Sequence, residues 1–247
     1  GLRQCASSQF GPVPISTPGW DVGPVATLTQ YVTKDPDTGL QNMGNYRAQI
    51  KGPRRMGMNP SLELRPGIYV HWEKMKARGE KLPAAVVLGA PSCVTFTAAQ
   101  KLPENIEEIT IAGGLVGAPI NVVKARTVDL FVPAEAEIVV EGYINTEMLE
   151  PEAPFGESHG HVNLQEFNAY MDVTCITRRS DPVMTSIISQ VTPSESSCIK
   201  QVAYETIFMN HLRDALGIKG VQRVALHEPL TNIRKLIVVV CDRDMPR

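Results

Sequence analysis

From Val25 onward, short β-branched and apolar runs alternate with Gly, Pro and Asp turn signals. Runs over residues 25–32, 45–51 and 54–58, the last two separated by Gly52-Pro53, predict a meander or barrel. Pro66 opens a stretch in which Ile68, Trp72 and Met75 recur at helical spacing, with Lys and Arg on the other face until Gly79, the pattern of an amphipathic surface helix. A buried strand over 84–88, short helices over 93–100 and 104–116, and strands over 120–124, 128–132 and 138–144 follow. After a polar loop over 146–166, residues 168–178 alternate as a half-buried strand and 197–216 form the strongest helix. Residues 220–226 and 236–241 predict βαβ-like material of a second, incomplete domain, while the Gly-, Pro- and Ser-rich residues 1–24 predict an extended lead-in, with structure beginning near Val25. No internal repeat or low-complexity segment interrupts this order.

Composition narrows the class. Of 247 residues, 43% are hydrophobic and 20% charged, which excludes a disordered or collagen-like chain and leaves enough material for one large or two small cores. A formal net charge of −2 offers no general attraction to nucleic acid or to an anionic membrane. The longest strongly apolar stretch, residues 236–241, is far too short to span a bilayer, and no signal-peptide pattern opens the chain, so a cytoplasmic address is expected. Five scattered cysteines without a CxxC pair predict reduced, mostly buried thiols rather than a disulfide framework or structural zinc. A start at Gly1 and an end just after a strand-like run predict a fragment of something longer.

The candidate chemistry is sparse. His159 and His161 with Glu157 imitate a metal site, but HxH alone favours a polar loop with structural histidines. The glycines of Ala112-Gly113-Gly114-Leu115-Val116-Gly117 do not follow a strand in dinucleotide-binding order and are expected to allow close packing. Lys51, Arg54 and Arg55 read as a solvated basic turn in preference to a phosphate grip. More informative is Glu150-Pro151-Glu152-Ala153-Pro154-Phe155-Gly156-Glu157, where prolines stiffen a segment carrying carboxylates. Spacing alone leaves a positioned acid/base loop and a plain acidic turn both open.

Three motifs bear on that choice: Asn42-Met43-Gly44-Asn45-Tyr46-Arg47-Ala48-Gln49, then Val132-Pro133-Ala134-Glu135-Ala136-Glu137-Ile138-Val139-Val140-Glu141-Gly142, then Pro154-Phe155-Gly156-Glu157-Ser158-His159-Gly160. In this order they resemble the UbiD family of reversible decarboxylases over most of residues 10–190, with a weaker likeness at Leu236-Ile237-Val238-Val239-Val240-Cys241-Asp242-Arg243-Asp244. The resemblance implies an α+β protein: residues 1–190 as a flavin-reductase-like split β-barrel that binds prenylated FMN, and residues 191–247 as part of a C-terminal α/β oligomerisation domain. Family members are longer at both ends and carry a further strand and helix between Thr231 and Arg234.

It also implies a site. Asn42 and Glu108 fall where the family holds a divalent ion, usually manganese, against the flavin phosphate, and potassium is a further candidate ion; oxygen ligands suit such hard cations. Flavin contacts fall on Asn45, Tyr46, Arg47, Asn59, Pro60 and Ser61, with Leu64 and Arg65 closing the site. Some members have a histidine ligand where Arg65 stands, which leaves a direct Arg65 contact to phosphate as the alternative. The catalytic set falls on Arg47, Glu152 and Glu157: a bidentate fork for the substrate carboxylate, a carboxylate that holds the fork, and a proton carrier. The implied activity is non-oxidative, reversible decarboxylation of an aromatic or α,β-unsaturated acid, with CO₂ as co-product, a flavin prenyltransferase as cofactor supplier, no nucleic-acid or membrane partner, and a homodimer or higher oligomer. The rival expectation is a non-catalytic flavin-binding subunit that needs a partner chain; an ordinary flavin reductase would have no use for the two-glutamate loop.

Overall fold

The computed structural model describes residues 13–60, 65–103, 105–152, 154–157, 160–188, 193–226 and 236–244, and the backbone of 3–6. The elements run β1 (Arg3–Ala6), β2 (Val25–Ala26), β3 (Gln30–Lys34), β4 (Gln41–Asn45), β5 (Ala48–Gly52), β6 (Arg55–Gly57), α1 (Gly67–Ala77), β7 (Leu82–Leu88), α2 (Ser92–Ala98), α3 (Glu108–Val116), β8 (Val122–Lys124), β9 (Phe131–Pro133) and β10 (Ile138–Ile144). They continue with β11 (Glu150–Glu152), β12 (Phe155–Gly156), β13 (Val162–Asn163), β14 (Glu166–Asn168), β15 (Tyr170–Arg178), α4 (Glu195–Asn210), a π-helical turn (His211–Ala215), β16 (Val221–Leu226) and β17 (Ile237–Cys241). Contacts divide the chain into two compact units, one of residues 1–155 and 163–186, the other of residues 156–162 and 187–247.

The first unit is a mixed α/β body built on one antiparallel sheet, in the order β2-β5-β6-β15-β10-β7-β3-β4 with β1 added to β15. The sheet is curled. The Tyr31 hydroxyl on β3 donates to the Gly57 carbonyl on β6 at 3.2 Å, although four strand spacings, about 19 Å in a flat sheet, separate these strands in the ladder. Curling creates an inner and an outer core. On β7, Ala84, Val86 and Leu88 join the inner cluster with Tyr31, Met171 and the buried α1 residues Ile68 and Met75. Ala85 and Val87 join the outer cluster with Val94 and Ala98 of α2, Ala112 of α3 and Val132. A strand buried on both faces has no polar alternation to show, hence its continuous apolar sequence.

Two motif residues serve this architecture. Glu141, buried on β10, accepts from the Arg126 and Thr127 N–H groups at 3.0 and 2.5 Å and from the Thr127 hydroxyl at 2.8 Å, which fixes the turn before β9. At Gly142 the β10–β15 register shifts, and a Cβ there would lie 2.1 Å from the Asp172 carbonyl oxygen.

In the second unit, Ser194 caps α4 by accepting from the Ser197 N–H at 3.2 Å. Gln201 and Glu205 on α4 hold both backbone polar groups of Leu226 on β16, at 2.8 and 2.9 Å. β16 and β17 pair antiparallel, which corrects the βαβ-like expectation. Three further expectations change. Ordered structure precedes Val25, since β1 pairs with β15. The run 45–51 divides between β4 and β5, because Tyr46-Arg47 carries the chain from one sheet position to the other. Cys175 is disulfide-bonded, and Cys198 and Cys241 are exposed, so the cysteines are not uniformly reduced and buried. Among the described residues, no helix is long and apolar enough to cross a membrane.

Candidate active site

The segment from β4 to β6 organises the polar interior of the first unit. β4 is the end strand of the sheet, so its Gln41 and Met43 N–H groups face away from β3. Glu107 and Glu108 at the start of α3 accept them, each at 2.7 Å. This docking explains why Glu108 is only 6% exposed, and burial pushes its carboxyl up to about 7. Asn42 and Tyr46 join it. The Asn42 side chain lies against the first residue of α1, where a Cβ on Gly67 would meet its Oδ1 at 2.1 Å. The Asn42 Nδ2 is buried and makes no hydrogen bond among the described residues. The Tyr46 ring crosses Gly44, where a Cβ would meet its hydroxyl at 2.4 Å, and burial followed by the Glu108 charge raises the Tyr46 pKa. Asn45 accepts from Gln30 Nε2 at 2.9 Å and donates to the Thr95 carbonyl at 3.1 Å, linking β3, β4 and α2.

A second group adjoins the first through Tyr46-Arg47. Arg47 Nε donates to Glu152 Oε1 at 2.7 Å and Nη2 to Oε2 at 2.8 Å, with side-chain exposures of 10% and 1%. Asn59 Nδ2 reaches the same Oε2 at 3.3 Å. The guanidinium lies over the Phe155 ring, 4.7 Å from its centroid. A planar fork with two donors on one carboxylate and a ring on its face has a fixed orientation. Tyr31 packs edge-on to Tyr46 at 6.0 Å, and its pKa is raised by burial and then by the Glu152 charge.

The loop around Glu152 is held by the basic cluster of the β5–β6 hairpin. Lys51 Nζ contacts the Pro151 carbonyl and lies 3.6 Å from Glu150. Arg55 pairs with Glu150 at 2.5 Å and Asp172 at 2.9 Å and covers the Tyr170 ring at 4.3 Å. Two of the three residues expected to form a solvated turn therefore fasten the carboxylate loop, and Arg54 alone is exposed.

The expected site residues divide accordingly. Asn42, Tyr46 and Glu108 come together, as do Arg47, Asn59 and Glu152, with Asn45 beside the former and Pro60 buried next to Asn59. Glu157 falls in the other compact unit, where its N–H donates to the His161 carbonyl at 2.8 Å and its carbonyl accepts from Gly160 at 3.0 Å. Arg65 has φ +41° and an exposed guanidinium paired with Glu73 at 2.9 Å. Ser61, Leu64 and His159 lie outside the described residues. Among the described residues no three His, Cys, Asp or Glu side chains converge as a metal site. The sequence offers Phe155 as an apolar ring that desolvates Glu157, not as the platform under Arg47, and nothing in sequence separates Tyr31 from an ordinary core tyrosine.

Residues 9–191 match the model of the UbiD family, described as the 3-octaprenyl-4-hydroxybenzoate carboxy-lyase Rift-related domain. An uncharacterised protein of Aquifex aeolicus is 34% identical over 190 residues, 76% of this chain and 38% of that protein. The UbiD-class enzyme HmfF of Pelotomaculum thermopropionicum, in an evolved dimeric form in complex with prFMN, superposes with a TM-score of 0.78 at 30% identity, over 85% of this chain and 47% of that one. Vanillic acid decarboxylase of Sedimentibacter hydroxybenzoicus, in its closed form, gives a TM-score of 0.81 at 26% identity, over 89% and 46% of the respective chains. The chain thus spans less than half the length of these relatives.

Proposed function

Because the chain belongs to the UbiD family, we propose that it carries the cofactor-binding and catalytic core of a non-oxidative, reversible carboxy-lyase for aromatic or α,β-unsaturated carboxylic acids, dependent on prenylated FMN. The observation that carries this reading is the Arg47–Glu152 pair, a two-point ion pair almost closed to water and backed by Phe155. In this reading the curled sheet is the split barrel of residues 1–190, residues 191–247 are part of a C-terminal oligomerisation domain, and the address is cytoplasmic, where a flavin prenyltransferase supplies the cofactor.

Arg47 binds the substrate carboxylate. Glu152, which already engages Nε and Nη2, fixes the fork so that the carboxylate meets one orientation of the guanidinium. Prenylated FMN, when bound, would supply the sink for the electron pair left by loss of CO₂. Glu157 delivers the proton to the vacated carbon, and in the carboxylation direction removes it. Asn45, Tyr46, Asn59, Pro60 and Arg65, with Ser61 and Leu64 on the family resemblance alone, would hold the cofactor.

Asn42 and Glu108 fit a hard divalent cation such as manganese, with potassium as the alternative ion: both offer oxygen donors, and Glu108 is a buried carboxylate that pairs with no cationic side chain among the described residues. Two protein ligands do not complete a coordination sphere, so phosphate and water would supply the rest. Arg65, a donor that cannot ligate a cation, would contribute only by contact with phosphate.

Assembly belongs to the same proposal. Val202 and Ile207 on α4 are 64% and 42% exposed, apolar surface of the kind that a homodimer or larger oligomer covers. The second reading is a flavin-binding subunit completed by a partner chain. The test is proton delivery: in deuterated water the parent, loaded with prenylated FMN, should place one deuterium at the vacated carbon, and Glu157→Gln should lose most of that incorporation. Parental incorporation by the variant would remove Glu157 from the role, and none by the parent would favour the partner-dependent subunit.

A further inference from the structure

β11 and β14 form a two-stranded ribbon that, among the described residues, pairs with no strand of the main sheet. Such ribbons are marginal alone, and apolar burial does not hold this one. Phe167 and its cross-strand neighbour Pro151 face solvent, as does Leu149 two positions earlier, with Phe167 65% and Leu149 44% exposed. Alternation sets Glu150 and Glu152 on the opposite face. That charged face meets Lys51 on β5, Arg55 on β6, and Arg47 and Asn59. Polar side chains, in place of a backbone ladder or a core, therefore dock the strand that carries Glu152.

We propose that Arg55 is a positioning residue for this site: by gripping Glu150 it places Glu152, and through Glu152 the Arg47 fork. Its bearing on substrate rests on the reading of Arg47 as the carboxylate ligand. Arg55 is itself held in one orientation. Its Nε and Nη2 lie 3.0 and 2.9 Å from Asp172 Oδ1, directly across the β6–β15 pair, and its guanidinium covers the Tyr170 ring. Nη1 is thereby aimed at Glu150, 2.5 Å away. Lys51, a point charge on a rotatable stem, stands 3.6 Å from Glu150 and gives no such orientation. Pro151 joins Glu150 to Glu152, and its ring locks φ, so a displacement of Glu150 carries Glu152 with it. The Arg55 side chain is 42% exposed, so its removal strands no deeply buried charge and the fold should survive.

The test reads the Arg47–Glu152 pair directly, as hydrogen exchange of the Arg47 Nε–H in nitrogen-15-labelled full-length protein, assigned by its disappearance in Arg47→Met, with thermal melts to establish folding. The parent should show this proton protected, as its 2.7 Å bond to Glu152 requires. In Arg55→Met it should exchange about fivefold faster, equivalent to about 1 kcal/mol. Glu150→Gln should reproduce that gain, because the route runs through Glu150. Arg55→Lys, which keeps the charge but cannot span Asp172 and Glu150 together, should fall between. Arg54→Met, the loss of an exposed neighbouring charge, should match the parent. Parental exchange in Arg55→Met or in Glu150→Gln, or an unprotected Nε–H in the parent, would overturn the proposal, as would an equal gain in Arg54→Met. Titration of the cofactor-loaded parent and Arg47→Met with benzoate tests the carboxylate reading separately: equal binding by the two would remove Arg47 as the carboxylate ligand and leave the placement of Glu152 by Arg55 standing on the exchange result.

Discussion

Two buried groups that titrate in opposite senses should give this protein a flat stability profile in mild acid, and removing either should expose the other. His71 on α1 is 6% exposed, with its Nδ1 2.8 Å from the Thr33 hydroxyl, and burial lowers its pKa from 6.5 to about 4 despite the nearby Asp35. Between those values the unfolded chain binds a proton that the fold refuses. Its contribution is therefore complete above pH 6.5 and lost as pH falls toward 4. A difference of about 2.5 pH units at about 1.36 kcal/mol each is about 3 kcal/mol. Glu108 runs the other way: burial raises its pKa from 4.5 to about 7, so the fold keeps a proton that the unfolded chain releases, and about 3 kcal/mol present below pH 4.5 is lost as pH rises to 7. In the overlap from 4.5 to 6.5 the slopes cancel. Urea unfolding of metal-free protein across this range should therefore show little change for the parent, a fall of about 3 kcal/mol toward acid for Glu108→Gln, and a comparable fall toward neutral pH for His71→Gln. Profiles of both variants parallel to the parent would refute the reasoning.

Breaking the buried pair in Glu152→Leu should strand Arg47 and cost about 3–5 kcal/mol, and the double variant Arg47→Met, Glu152→Leu should recover much of it in a double-mutant cycle; additive losses would mean that the pair is not coupled. Gly142→Ala, whose new methyl would lie 2.1 Å from the Asp172 carbonyl oxygen, should disrupt the β10–β15 ladder and lower the melting temperature sharply, whereas Gly114→Ala, with nothing within 4 Å, should not. Glu108→Ala should fold yet lose both metal and flavin on purification; equal contents in variant and parent would remove Glu108 from the ion site.

The fold was legible where pattern and packing agree. The strand over 138–144 appears with the expected bounds, and Pro66 starts α1 as expected, with Ile68, His71 and Met75 buried. Legibility fails where polar side chains are buried for a partner distant in sequence. Gln30 and Thr33 on β3 are fully buried, with Asn45 accepting from the Gln30 amide nitrogen and the His71 ring meeting the Thr33 hydroxyl, and the predicted run over 25–32 stops two residues short of the strand's end. The Ser194 cap lies three residues before the expected start of α4, an available signal passed over. The valines of β17 have the composition of a parallel-sheet strand, but composition does not fix strand direction, and β17 pairs antiparallel. In the site, spacing cannot join Arg47 to Glu152 across 105 residues; only family likeness set them side by side.

The central claim, a prenylated-FMN-dependent carboxy-lyase core, is tested most directly by the cofactor itself. The chain should be co-expressed with a flavin prenyltransferase, purified, and its bound flavin released for mass and absorbance measurement. The account predicts a flavin heavier than FMN by the prenyl-derived addition, with an altered absorbance spectrum, and its loss in Glu108→Ala. Unmodified FMN alone, bound equally well by both proteins while a longer UbiD-family member prepared in parallel acquires the prenylated form, would contradict it.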